Sequence, residues 1–249
     1  LIWVVWPSVV TPLRVYKLAG NVSEKASPWN LFGNEGIIWP ELLAQLQADA
    51  ADDTVKTIVL KIGELGLGPA QAEELSAAIS AAKRAKKRVV AYLDRGTLTT
   101  LMAVAAADVV AITPEGSVIA PGLRAEVSFY KEILDTIGVE ADIESVGQFK
   151  SAMEPYTRTS FSDPARENLE TLVDGLYRSL LAHTSAARSI TPAKLEEAID
   201  KGLLTAEAAK SARLVDTLVY WGELLDGEKK VGEASLAWPK PAETPDFGS

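Results

Sequence analysis

Three observations predict an α/β domain built on a mostly parallel sheet. Strand-like and helix-like runs alternate from residue 13 to residue 112, the order that βαβ units produce. The last third then turns helical, with Leu169, Leu172, Val173, Leu176, Leu180 and Leu181 recurring at helical spacing. Finally, 47% of the 249 residues are hydrophobic, so the chain can bury a sizeable core.

The elements follow in order. Residues 1–12 form an apolar N-terminal arm carrying Trp3 and Trp6. It is far shorter than the roughly 20 residues a bilayer span needs. No basic segment precedes it and no cleavage-site pattern follows, so it does not read as an intact signal peptide. It reads as the remnant of an anchor, a strand, or an arm packed on another subunit, and any membrane attachment comes from residues absent here. The α/β domain is expected over residues 13–228. Residues 13–18 alternate as a strand should, and residues 21–36 form a loop with Pro28, Trp29 and Phe32. The aromatics from Trp29 to Trp39 are expected to be exposed for binding or subunit contact.

A helix over 40–48 and a buried strand over 55–62 come next. Gly63, Gly66 and Gly68 suggest a glycine-rich turn before Pro69, which opens a helix to Arg84. No Gly-Lys-Ser/Thr follows, so this is not a nucleotide phosphate loop; its amides are expected to suit an anion or oxyanion. Further on come a strand over 86–93, a small-residue helix over 97–107 and a strand over 109–112. Turns at Pro114 and Gly122 flank a short run, and a helix over 128–137 leads to a strand over 140–146. Ser162 caps a long helix with Pro164 in its first turn, and Thr191-Pro192 and Thr205 start two more. A last element spans 214–225. Residues 229–249, with Pro239, Pro241 and Pro245, have linker composition, which suggests that the chain continues.

Composition excludes several functions. A net charge of −9 with no basic stripe argues against nucleic acid as a partner. The absence of cysteine rules out disulfides, thiolate zinc sites and a cysteine nucleophile. His183 is the single histidine and sits in an amphipathic helix, so it reads as a surface residue; no metal and no cofactor are expected.

The stretch from Val146 to Arg158, Val-Gly-Gln-Phe-Lys-Ser-Ala-Met-Glu-Pro-Tyr-Thr-Arg, carries the chemistry. Lys150 lies among Phe149, Ala152 and Met153, and desolvation by such neighbours disfavours an ammonium and makes a lysine a usable general base. The competing reading is a solvated loop lysine. Glu154 stands four residues on, where one helix face would pair it with Lys150, but Pro155 is expected to turn it aside.

This stretch, with Ser162 and Ala165-Arg-Glu167 after it, resembles the lysine motif of the signal peptide peptidase A (protease IV) family. Ala107-Asp108 and Pro114-Glu-Gly116 occupy the places of that family's Ala-Asp and Pro-x-Gly signatures. Leu214-Val215-Asp216 resembles its Gly-Leu-Val-Asp, with Arg213 in place of the glycine. The resemblance implies a ClpP/crotonase-like fold, a spiral of ββα units with a helical C-terminal third. It implies that Lys150 is the general base of a Ser-Lys dyad. The family's nucleophile lies in a Ser-Gly-Gly-aromatic stretch, whereas this chain reads Arg95-Gly-Thr-Leu-Thr-Thr-Leu-Met102 with Leu98 at or near that position, flanked by Thr97 and Thr99.

Longer members of the family carry tandem copies, the first supplying lysine and the second serine. By that resemblance this chain is the lysine-bearing half of a membrane-associated serine endopeptidase, inactive by itself. Its partners would be a serine-bearing C-terminal half, hydrophobic signal-peptide substrates and further copies of itself. Its soluble domain would lie at the cell membrane, outside the cytoplasm. Two rivals are a non-catalytic scaffold of the same fold and a crotonase-type acyl-CoA enzyme using the turn at Gly63 to Gly68 with Glu64. Ser117 and Ser151 are the other candidate nucleophiles; Ser151 is discounted because neighbours on an extended chain point to opposite faces.

Overall fold

Apolar runs without strict alternation mark strands covered on both faces, the signature of a parallel sheet. β1 (Leu13–Ser23) buries Leu13, Val15, Tyr16 and Leu18. β2 (Ile37–Ile38) pairs parallel with its end and leads into α1 (Trp39–Ala51), whose Leu42, Leu46 and Asp49 recur at helical spacing on the buried face. β3 (Thr57–Gly66) and α2 (Pro69–Arg84) follow, the helix burying Ala72, Leu75, Ile79 and Ala82. β4 (Arg88–Leu93) has five consecutive buried residues and lies mid-sheet. β5 (Gly96–Thr97), α3 (Leu98–Val104), β6 (Val109–Ile112) and β7 (Ser117–Ala120) complete the first half. Then come α4 (Lys131–Thr136), α5 (Glu154–Thr157), α6 (Asp163–Arg188), α7 (Pro192–Ile199), β8 (Gly202–Thr205), α8 (Ala206–Ser211), β9 (Thr217–Leu218) and α9 (Trp221–Gly227).

The computed structural model describes residues 13–25, 36–144, 147 and 149–227. The arm with Trp3 and Trp6, the Trp29 loop and the proline-rich tail lie outside them.

Among the described residues the main sheet has the order β2-β1-β3-β4-β6-β9 and every pairing in it is parallel. A second sheet, β5-β7-β8, joins a parallel pair to an antiparallel one. Leu13, Val15, Val59 and Val90 form a core cluster against which Trp221, Leu224 and Leu225 of α9 pack. Buried Asp49 is satisfied by the Tyr16 hydroxyl and by Arg14 Nε at 3.5 Å, which ties α1 to β1. Burial and the Asp49 carboxylate push the Tyr16 phenol above its ordinary pKa.

The chain divides into two compact units. Unit 1 comprises Leu1–Pro121 and His183–Ser249 and holds both sheets; unit 2 is Gly122–Ala182 and holds α4, α5 and most of α6. In unit 2, Ala165, Leu180 and Leu181 are the buried hydrophobic side chains. Its Ile133, Ile137, Phe149, Met153, Leu172 and Leu176 are exposed, Ile137 to 66%.

Several expectations change. Of the strand expected over 140–146, residues 140–144 are irregular backbone, because a strand exists only by pairing and they pair with no strand among the described residues; residues 145 and 146 lie outside those described. The helix expected from residue 128 starts at Lys131, since the Tyr130 amide donates to the Pro155 carbonyl at 2.6 Å. The glycine turn is not a turn: Gly63 and Gly66 lie in β3, Gly66 paired with Asn21. Trp39 is a core residue, 1% exposed, not part of an exposed aromatic loop. Its indole N–H finds a buried-side acceptor in Glu74 Oε2 at 2.5 Å, so the ring packs inward.

Candidate active site

The lysine stretch is a series of turns. Gly147 has φ +95°, a conformation that favours glycine, and its carbonyl accepts from the Lys150 amide at 3.1 Å. The Ser151 carbonyl accepts from the Glu154 amide at 3.0 Å, and α5 begins there. Lys150 is exposed, as are Phe149 and Met153 at 49% and 45%. Apolar neighbours are therefore present beside Lys150, but within this chain they do not cover it.

Pro155 does not turn Glu154 out of a helix; both open α5. What occupies the carboxylate is Ser162, whose hydroxyl donates to Glu154 Oε1 at 2.5 Å and whose amide donates to Oε2 at 3.0 Å. Desolvation works to raise the Glu154 pKa, yet the two Ser162 donors and the Arg158 charge outweigh it and hold the carboxyl below its ordinary value. Among the described residues no carboxylate lies within 4.0 Å of the Lys150 ammonium. Ser162 also caps α6 as expected, accepting from the Ala165 amide at 3.2 Å.

Directly after Lys150 the chain enters an apolar cavity of about 230 Å³. Ser151, Ala152 and Pro155 form one wall, and Phe129, Phe161 and Leu169 stand among the residues around the rest. Phe129 meets Phe161 edge-on with centroids 5.2 Å apart, and Tyr130 stacks on Tyr156 at 5.8 Å.

The nucleophile region lies in unit 1, while Lys150 lies in unit 2. Leu98 is 5% exposed, a core side chain at the first residue of α3. Thr97 is the N-cap: its hydroxyl accepts from the Thr100 amide at 3.2 Å, and the Thr97 amide donates to Thr100 Oγ1 at 2.7 Å. The Thr97 hydroxyl also lies 3.1 Å from that of Thr99. These hydroxyls serve the helix start.

The signature residues are structural. The Asp108 amide donates to the Val89 carbonyl at 2.8 Å, and Asp108 Oδ2 accepts from the Val89 amide at 2.8 Å. Asp216 repeats this with Val110, at 2.7 Å in each direction, and also receives Arg188 at 2.6 Å. A Cβ at Gly116 would lie 2.7 Å from Ile112 Cγ1 and 2.8 Å from the Thr113 carbonyl, so glycine alone fits. Sequence reasoning placed these motifs but not their roles; the Glu154–Ser162 pair, eight residues apart, carries no local signal.

The rival site loses its turn, and Glu64 is a surface residue 3.4 Å from Arg95. The Gly68 amide is taken by Gln71 Oε1 at 3.1 Å. His183 is a surface residue, 3.7 Å from Glu73. Ser117 lies in β7, opposite Thr205, and Ser151 lines the apolar cavity. Among the described residues no group of three or more His, Cys, Asp or Glu is placed to hold a metal, and no helix is long and apolar enough to cross a membrane.

Comparison with known proteins gives a family. The model of peptidase family S49 matches residues 81–234, more than half of the chain. The chain is 26% identical over 192 residues to the chloroplastic serine protease SPPA of Arabidopsis thaliana, covering 77% of this chain and 28% of that protein. It is 29% identical over 151 residues to protease 4 of Haemophilus influenzae, covering 60% of this chain and 25% of the relative. Against protease 4 of Salmonella typhi the figures are 35% over 115 residues, 43% and 19%. The matched stretch thus spans between about a fifth and somewhat more than a quarter of these relatives' length. With its parallel sheet and crossover helices in the ClpP/crotonase-like arrangement, this chain belongs to peptidase family S49, the signal peptide peptidase A family of serine proteases.

Proposed function

We propose that this chain is the lysine-bearing half of a Ser-Lys endopeptidase acting on cleaved signal peptides and other hydrophobic peptides. The observation that carries it is Lys150: among the described residues it has no carboxylate within 4.0 Å, the acid four residues on is held by Ser162, and the chain lines an apolar cavity from the next residue onward. Neutral Lys150 would take the proton of an attacking serine hydroxyl as that oxygen adds to the scissile carbonyl, then return it to the leaving amine. Water would enter by the same route and release the acyl group.

Buried Leu98 gives the chain no serine at that helix start, so the nucleophile belongs to a second, serine-bearing half. That half, or another copy of the chain, would also cover Phe149 and Met153 and supply the desolvation that exposed Lys150 lacks here. On this reading the substrates are membrane-derived, so the enzyme would act at the cell membrane, with its peptidase domain outside the cytoplasm.

The test is to express the chain with and without a serine-bearing half. Hydrolysis of an apolar peptide is expected from the pair and not from this chain alone; hydrolysis by the lone chain would overturn the division of labour. A second reading, a non-catalytic scaffold, also accounts for buried Leu98, and it predicts that Lys150→Ala leaves the activity of the pair unchanged.

A further inference from the structure

Another cavity, of about 580 Å³, is lined entirely by residues of unit 1. Its size falls within the roughly 300–1,000 Å³ usual for small-molecule sites. α7 and α8 flank it, and Ala198, Ala208 and Ala212 add only small side chains to its lining.

Its lining is rich in donors. Lys194, Lys201 and Arg213 contribute cations, and Ser189, Thr191 and Ser211 contribute hydroxyls. The one carboxylate is Glu197, 3.6 Å from Lys201. This excess of positive charge stands on a chain whose net charge is −9. A concave wall with an excess of one sign favours the opposite ion, and Lys194 and Arg213 supply that excess beyond the Lys201–Glu197 pair.

The backbone adds an independent observation. Among the described residues three non-glycine residues have positive φ, and two of them, Ser189 at +52° and Arg213 at +61°, line this cavity. Both follow helices: the Ile190 amide closes α6 on the Ser185 carbonyl at 3.0 Å, and the Leu214 amide closes α8 on the Ala209 carbonyl at 2.9 Å. Glycine is the inexpensive residue at such a position, and a Cβ there is strained. The Arg213 carbonyl is used, accepting from Arg188 Nε at 3.0 Å, but any residue has a carbonyl. What arginine alone adds is a guanidinium on a residue that lines the cavity.

We propose that this cavity binds a phosphate-bearing ligand, with Arg213 and Lys194 as the principal contacts. A phosphate group offers several acceptor oxygens and a negative charge, which a planar guanidinium, ammonium groups and hydroxyls match. The phosphate can belong to a soluble metabolite or to a lipid headgroup, and the two are separated by experiment.

Binding of inorganic pyrophosphate and of glycerol 3-phosphate to the 249-residue chain is measured by calorimetry and by the shift in Tm at 0.15 M salt. Vesicles of phosphatidylglycerol, with phosphatidylcholine as reference, are tested by co-sedimentation. Saturable binding of either soluble phosphate assigns a free ligand; binding of phosphatidylglycerol vesicles alone assigns a headgroup. In either case Lys194→Ala should weaken binding ten-fold or more. Arg213→Gly should abolish it while leaving Tm without ligand equal or higher, because the strain is relieved; that readout separates lost binding from lost folding. Lys56→Ala, outside the cavity lining, should change nothing. The proposal is overturned by absence of binding in both arms, by unchanged binding in Arg213→Gly, or by an equal loss in Lys56→Ala.

Discussion

Ser162 holds the Glu154 carboxylate by two hydrogen bonds, from its hydroxyl at 2.5 Å and from its amide at 3.0 Å. The same hydroxyl accepts from Ala165 to cap α6. Ser162→Ala is therefore expected to cost about 1 kcal/mol in stability through the lost cap. Its sharper effect concerns Glu154. The substitution removes the hydroxyl, one of the two Ser162 donors that hold the Glu154 carboxyl below its ordinary value, and leaves the amide, so the Glu154 pKa should rise toward that value. Carboxyl chemical shifts followed against pH in the parent and in Ser162→Ala check this. An unmoved Glu154 titration would show that the Ser162 hydroxyl does not hold the carboxylate.

On the proposed division of labour, Lys150→Ala in the chain joined to a serine-bearing half should lower kcat by about 10²-fold or more, the usual worth of a general base. Ser151→Ala should cost far less, since the proposed attacking hydroxyl belongs to the serine-bearing half; Ser151 itself lines the apolar cavity. Circular dichroism and sedimentation of both variants should match the parent. Equal losses from the two substitutions would indicate damage to the loop instead of removal of a base.

Gly116→Ala tests the close approach in the Pro-x-Gly signature. The added Cβ would meet Ile112 Cγ1 at 2.7 Å and backbone oxygens at 2.8 and 3.1 Å, none of which yields freely. Overpacking of this kind costs typically about 1–3 kcal/mol. Chemical denaturation should show a lower midpoint with an unchanged slope; an unchanged midpoint would mean that the turn after β6 relaxes at no cost.

Much of unit 1 was readable because apolar runs and helix caps are local signals. Pro69–Arg84 and Val109–Ile112 match the expected bounds, and Thr191 and Thr205 cap the helices they were expected to start. Misreadings arose where partners distant in sequence decide. Gly63 and Gly66 look like turn residues, but pairing with β1 keeps them in β3. Trp39 looks like a loop aromatic, but Glu74, 35 residues on, takes its N–H. The Lys150 motif was legible as a string of residues. The Glu154–Ser162 pair was not, since its partners stand eight residues apart; Pro155 was expected to turn Glu154 aside, whereas both residues open α5.

Asp216 provides the last prediction, a dependence of stability on acid. Desolvation raises its pKa, but the Arg188 guanidinium and the Val110 amide more than offset this and leave the carboxyl below its ordinary value of 3.8. A group depressed in the folded state stabilises the fold fully above its unfolded pKa and loses that contribution as pH falls through the folded value. The Asp216 contribution should therefore be complete at neutral pH and fade below about pH 4. Asp216→Asn keeps the shape, but it removes the charge facing Arg188, whose side chain is 8% exposed. The variant should be less stable at pH 7, and its deficit should narrow on acidification. A deficit constant from pH 7 to pH 3 would show that Asp216 acts through hydrogen-bond geometry alone and not through its charge.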